Sequence, residues 1–114
     1  MTMRLTGYRF GRIEVDGVPY HHDLAILETA VREWRRREGH RVHPEDVQDA
    51  LAERPELLIV GTGHSGLLQV TAEVARLVAD RGIELLAVKT AEAVDAYNDL
   101  ARAKRVCAML HLTC

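Results

Sequence analysis

The chain has 114 residues, of which 47% are hydrophobic and 28% charged, and its formal net charge is −2. That length suits one packed core, not two nucleotide-binding halves with a substrate domain, and so slight a charge sets up no field to draw in nucleic acid or a membrane surface. No window approaches the roughly 20 apolar residues of a membrane span, and the first residues lack the apolar core of a signal peptide. A cytoplasmic location is therefore expected, with Cys107 and Cys114 kept as thiols because they form no C-x-x-C pair.

In chain order, Tyr8 to Val15 alternates with period two, Asp16-Gly17 suits a tight turn, and Val18 to Tyr20 completes a predicted β-hairpin. Leu24, Leu27, Val31 and Trp34 follow helical spacing, but the run opens like a strand, so periodicity leaves Leu24 to Arg37 open between helix and strand. From His43 to Glu53 a short helix is predicted, with Pro44 at its first position, acids in its first turn and Pro55 as its stop. Leu57 to Val60 reads as an apolar strand and Gly61 to Gly66 as a loop. Leu68, Val70, Val74, Leu77 and Val78 then form the apolar stripe of a helix that Gly82 ends. Ile83 to Val88 is the next strand, Thr90 offers an N-cap hydroxyl to the helix from Ala91 to Ala101, and Arg105 to His111 is a third strand. Such a β-α-β-α-β half implies right-handed parallel crossovers in a single α/β domain over residues 1–114.

Several stretches together resemble a known family. They are Gly7 to Gly17, Tyr20 with Asp23, Trp34 with Gly39-His40, Pro55 to Gly63, and Thr90 to Ala93 with Tyr97-Asn98. They look like a widespread family of small α/β domains of largely unknown function that includes mitochondrial respiratory complex I assembly factor 3 and the adipogenesis-associated domain protein. The resemblance implies a three-layer α/β fold around a small mixed sheet and an extended Leu24 to Arg37. It supplies no catalytic residues.

The stretch Gly61-Thr-Gly-His-Ser-Gly66 matches G-x-G-x-x-G after a strand. A dinucleotide site also needs an acid near the end of the second strand for the ribose hydroxyl. Here that strand ends in Val88-Lys89-Thr90, and its acid, Glu84, lies near its start. No nucleotide or other cofactor is therefore expected. The glycines then either permit a tight turn or shape a small anion site, in which Gly61, Thr62, Gly63, Ser65, Gly66, Lys89 and Thr90 would present backbone amides, hydroxyls and one cation. His64 beside Ser65 does not make a nucleophile, since a base must reach across the fold and be oriented by a third group, and G-x-S-x-G is absent.

His21-His22-Asp23, His40 with His43, and His111 with Cys114 carry metal-ligand chemistry, but nothing in their spacing ties them together, and no metal is expected. Cys114 would be a reactive thiol if a neighbouring cation lowered its pKa, whereas Cys107 lies in an apolar strand. The basic run from Arg32 to Arg41 is interrupted by Glu33 and Glu38, which disfavours nucleic acid. Its Trp34, Arg35 and Arg36 are the residue types enriched at interface hot spots. The expected role is a protein-interaction or assembly-supporting module with a protein partner or a second copy. Binding of a small anion at Gly61 to Gly66, with or without an enzyme activity, and thiol chemistry at Cys114 are the alternatives.

Overall fold

The computed structural model describes residues 2–114. Its centre is a five-stranded mixed sheet of β4 (Leu24–Ile26), β5 (Val31–Glu33), β7 (Leu57–Thr62), β9 (Glu84–Val88) and β10 (Val106–His111), in the order β5-β4-β10-β7-β9. Strands β7, β9 and β10 are parallel, and β4 and β5 extend the sheet antiparallel from β10. The family-based expectation for Leu24 to Arg37 is met in its first part, where Leu24–Ile26 and Val31–Glu33 form a hairpin.

The N-terminal segment is a three-stranded antiparallel meander, β1 (Leu5–Arg9), β2 (Arg12–Val15) and β3 (Val18–Tyr20). The alternating run Tyr8 to Val15 therefore contains a turn at Phe10-Gly11 that periodicity did not reveal. The second turn is as expected: Asp16 and Gly17 take φ of 50° and 83°, the paired left-handed geometry of a tight hairpin. Short strands β6 (Arg41–Val42) and β8 (Gln69–Val70) pair in parallel.

Three helices flank the central sheet. A 3-10 turn over Pro44–Val47 leads into α1 (Gln48–Ala52), with α2 at Ala72–Asp80 and α3 at Thr90–Leu100. The helix predicted from Leu68 begins later. Leu68 is buried in the approach to β8, and the Thr71 hydroxyl accepts a hydrogen bond from Val74 N, so capping rather than the apolar stripe sets the start. Lys89, not Thr90, is the N-cap of α3, because the Thr90 hydroxyl is committed elsewhere.

Side chains alternate between two cores, as period-two strands require. Leu57, Ile59, Val106, Ala108 and Leu110 face the meander and α3, where Ala93, Val94 and Tyr97 meet Leu5, Ile13 and Val15. Leu58, Val60, Cys107 and Met109 face the opposite way, against Val47, Leu51, Val74 and Val78. These are the three layers. The apolar runs of β7 and β10 are fully buried because both faces are covered. Asn98 fastens the N-terminus, its Oδ1 accepting from Leu5 N and its Nδ2 donating to Leu5 O.

Candidate functional site

The carboxyl ends of parallel strands are where open α/β sheets usually hold ligands. In this chain the ends of β7, β9 and β10 carry the Gly61 to Gly66 loop, Thr90, His111 and the segment from Leu112 to Cys114. The predicted ligand residues do assemble, with Lys89 lying over Gly66 and Thr90 against Gly61 and Gly63. The amides, however, point at the protein. Gly63 N donates to Thr90 Oγ1 at 2.9 Å, His64 N to Thr113 O, Gly66 N to Gly63 O, Leu67 N to Cys114 O at 3.1 Å and Leu68 N to Thr62 O. Among the described residues, Ser65 alone keeps a loop amide without a protein acceptor, and its side chain is exposed. Helix α2 begins only at Ala72, whereas the first residue of α3, Thr90, abuts the loop and spends its own amide on Gly63 O at 3.1 Å.

The glycines are explained by close approach. A Cβ at Gly61 would lie 2.9 Å from both Leu110 Cδ2 and Thr90 Oγ1. At Gly63, which has φ of 104°, it would lie 2.3 Å from the Cys114 carbonyl carbon and 2.8 Å from Thr113 O. The loop is shaped to receive the chain's own last residues. Thr90 completes it by accepting from Gly63 N and donating to His111 O, which is why this buried hydroxyl cannot cap α3.

Beside the loop lies a cluster the sequence did not reveal. Asp23 Oδ2 is 2.7 Å from both Arg36 Nη1 and His111 Nδ1, and Asp23 Oδ1 accepts from Leu112 N at 2.8 Å. Burial pushes the Asp23 pKa up, but hydrogen bonds from His111, from the Leu112 amide and from Arg36 outweigh that, leaving it below the usual carboxylate value. The Arg36 guanidinium also stacks 4.6 Å from the Trp34 ring and donates to Gly39 O. The pairing Leu110↔Leu24 in β10 and β4 is what sets His111 opposite Asp23. Spacing in the chain cannot show this, since 88 residues separate the two.

A histidine oriented by a carboxylate is half of an acid-base device. The second nitrogen, His111 Nε2, is buried with no hydrogen-bond partner among the described residues. The cluster ties β4, β10 and the segment after β5 together.

Of the other singled-out residues, His40 meets the His111 ring edge-on with centroids 6.3 Å apart, and the rest are dispersed. Trp34 is 6% exposed and its Nε1 donates to Asp46 O, so it is core and not an interface anchor. The Arg36 side chain is buried, and only Arg35 of the proposed contact trio is open to solvent. His43 is held by Glu38 and Arg37. No group of three or more His, Cys, Asp or Glu among the described residues is placed to hold a metal ion. Cys114 is exposed. Cys107 is buried, and burial together with the nearby Glu53 pushes its pKa up to about 12. No helix among the described residues is long and apolar enough to cross a membrane.

Two exposed apolar side chains flank the same end of the sheet, Phe10 at 58% and Leu67 at 55% exposure. Phe10 meets the His64 ring edge-on with centroids 5.8 Å apart. Gly11 N donates to Leu112 O and Leu67 N to Cys114 O, so both loops are anchored on one three-residue segment.

The fold recurs in solved structures. The chain is similar to a conserved hypothetical protein from Pyrococcus horikoshii OT3, at 30% identity over 98% of this chain and 100% of that one, with a TM-score of 0.91. A Mth938-like domain from Bordetella pertussis matches at 25% identity and TM-score 0.70, over 96% of this chain and 85% of the other. An outer membrane protein from Bartonella henselae shares the fold at 22% identity and TM-score 0.85, over 98% and 96% of the two chains. The family model described as "Protein of unknown function (DUF498/DUF598)" matches residues 5–111, from the first strand to the His111 that closes the buried cluster, and the chain belongs to that family.

Proposed function

We propose that the protein is an interaction or assembly-supporting module, in keeping with the resemblance to mitochondrial respiratory complex I assembly factor 3, and that it works in the cytoplasm. The observation that carries this reading is the apolar surface of Phe10 and Leu67 around His64, held on two loops by the Leu112 to Cys114 segment. Phe10 has about half of its surface to bury against a partner, and full burial of such a side chain is worth about 1.5–3 kcal/mol. A partner's aromatic or aliphatic anchor would cover it as interface cores are covered.

The test compares wild type with Phe10→Ser/Leu67→Ser. Sedimentation equilibrium reads self-association, and co-purification from the native host with isotope-labelled quantification reads a different partner. The double variant is expected to weaken association about tenfold with its circular dichroism unchanged. Absence of any association in wild type, or equal association in the variant, refutes the reading. Fractionation of the host tests the location.

A further inference from the structure

We infer that the groove at the amino ends of the parallel strands binds a small organic phosphate. It lies at the opposite end of the sheet from Phe10 and Leu67 and is independent of the interaction reading. The carboxyl-end crevice is filled by the chain's own last residues and by the buried Asp23 cluster. At the other end, where Pro55-Glu56 enters β7, Ile83 enters β9 and Arg105 enters β10, a groove of about 590 Å³ remains open. That is within the range of small-molecule sites.

The lining chemistry is selective. Leu51, Pro55 and Ile83 line it with apolar groups, and Arg54, Arg81 and Arg105 add three arginines to the same lining. Glu56 is the one acid in the lining, and its Oε2 already accepts from Arg105 N at 2.7 Å. Among the described residues none of the three arginines has a carboxylate within ion-pair distance, whereas Arg12, Arg32, Arg35, Arg36 and Arg37 all do. Three cations against one acid leave two positive charges (3 − 1) in the groove. A phosphate monoester, carrying about −1.5 to −2 at neutral pH, balances them and a monocarboxylate does not.

Arg105 Nη2 donates to Arg54 O at 2.8 Å, which fixes one guanidinium on the backbone of the next. Arg54 itself adopts φ of 50°, a conformation that costs a non-glycine residue free energy and that turns the chain from α1 into Pro55. Arg81 follows the last turn of α2, where a cation suits the helix dipole. The dipole accounts for Arg81 alone, and three arginines lining one groove suit a dianion, which planar guanidinium groups grip in pairs of hydrogen bonds. The apolar lining receives the organic part. A neighbouring cavity of about 350 Å³ shares Glu56 and Arg105 and adds Glu28, Arg102 and Lys104, leaving room for a nucleoside.

Isothermal calorimetry with AMP and with ribose 5-phosphate, using adenosine and inorganic phosphate as comparison arms, tests the site on the intact chain. Saturable binding of at least one phosphate ester is expected, tighter than that of inorganic phosphate, with none for adenosine. Arg54→Gly accepts φ of 50° without strain, so Arg54→Gly/Arg81→Gln removes two cations from a folded protein, and its affinity is expected to fall at least tenfold. Arg9→Gln/Arg35→Gln, with the same charge change elsewhere, is expected to bind as wild type. The inference is overturned if neither ester binds, if inorganic phosphate binds as tightly as both, or if the two double variants lose affinity equally. Circular dichroism confirms folding of each variant.

Discussion

Replacing Asp23 by Asn keeps the size of the side chain and removes its charge. In the native protein the carboxylate holds Arg36 and His111 at 2.7 Å each and accepts the Leu112 amide. An Asn can still accept from Leu112 through its carbonyl, but its amide then faces two donors and leaves a buried guanidinium without a counter-charge. Breaking a buried pair by removing one partner costs about 3–5 kcal/mol, and the retained Leu112 bond places Asp23→Asn near the lower end, about 3 kcal/mol. For a domain of this size that lowers Tm by about 10 °C. Urea unfolding followed by the fluorescence of Trp34, the single tryptophan and a buried one, measures it. If the cost is the stranded charge, the same change made in an Arg36→Met background should cost about 1 kcal/mol or less. A small effect of Asp23→Asn in wild type, or an equal effect in both backgrounds, would refute the reasoning. The pH dependence is a second check. The folded pKa of Asp23 lies below its unfolded value of about 3.9. Its stabilisation is therefore complete above that value and is lost as pH falls through the lowered folded pKa. The gap between wild type and Asp23→Asn should shrink as pH falls below about 4.

Gly63→Ala is expected to destabilise by about 3 kcal/mol or more, since strain at positive φ adds to a clash with the backbone of Cys114, while Gly17→Ala, with φ of 83° and open space, should cost about 1 kcal/mol; equal losses in urea titrations would show that the last residues are not seated on the loop. Thr90→Val strands Gly63 N and loses the bond to His111 O, a cost of about 2–4 kcal/mol against under about 1 for Thr90→Ser, read by thermal unfolding. Iodoacetamide on the native protein should label Cys114 and spare Cys107, whose thiolate is scarce with a pKa of about 12, until denaturant is added. Peptide mass spectrometry finding Cys107 labelled at the same rate would contradict its burial.

Much of the candidate site was legible as residues but not as geometry. The Gly61 to Gly66 loop, Lys89 and Thr90 do come together, and the missing acid after β9 argues against a dinucleotide from sequence alone. What occupies the loop's amides was hidden, because Thr113 and Cys114 carry no signal of where they dock. Trp34 and the arginines beside it looked like a surface patch because composition marks hot-spot residues without saying which way they face. Only when Asp46 and Asp23 come near do Trp34 and Arg36 turn inward. The groove of Arg54, Arg81 and Arg105 leaves no local signal, its arginines being scattered along the chain.

Local chemistry determined the elements whose signals are short in range: the Asp16-Gly17 turn with both residues in left-handed geometry, the Pro44 start and Pro55 end of the first helical segment, and the apolar strands at Leu57 and Val106. Tertiary structure decided which strands are neighbours, and with that the strand identity of Leu24–Ile26, the late start of α2 and the meeting of Asp23 with His111. The physical reason is that φ/ψ preference, capping and turn chemistry act within a few residues. Strand register and the pairing of buried charges are settled instead by desolvation and close packing, between groups the chain itself keeps far apart.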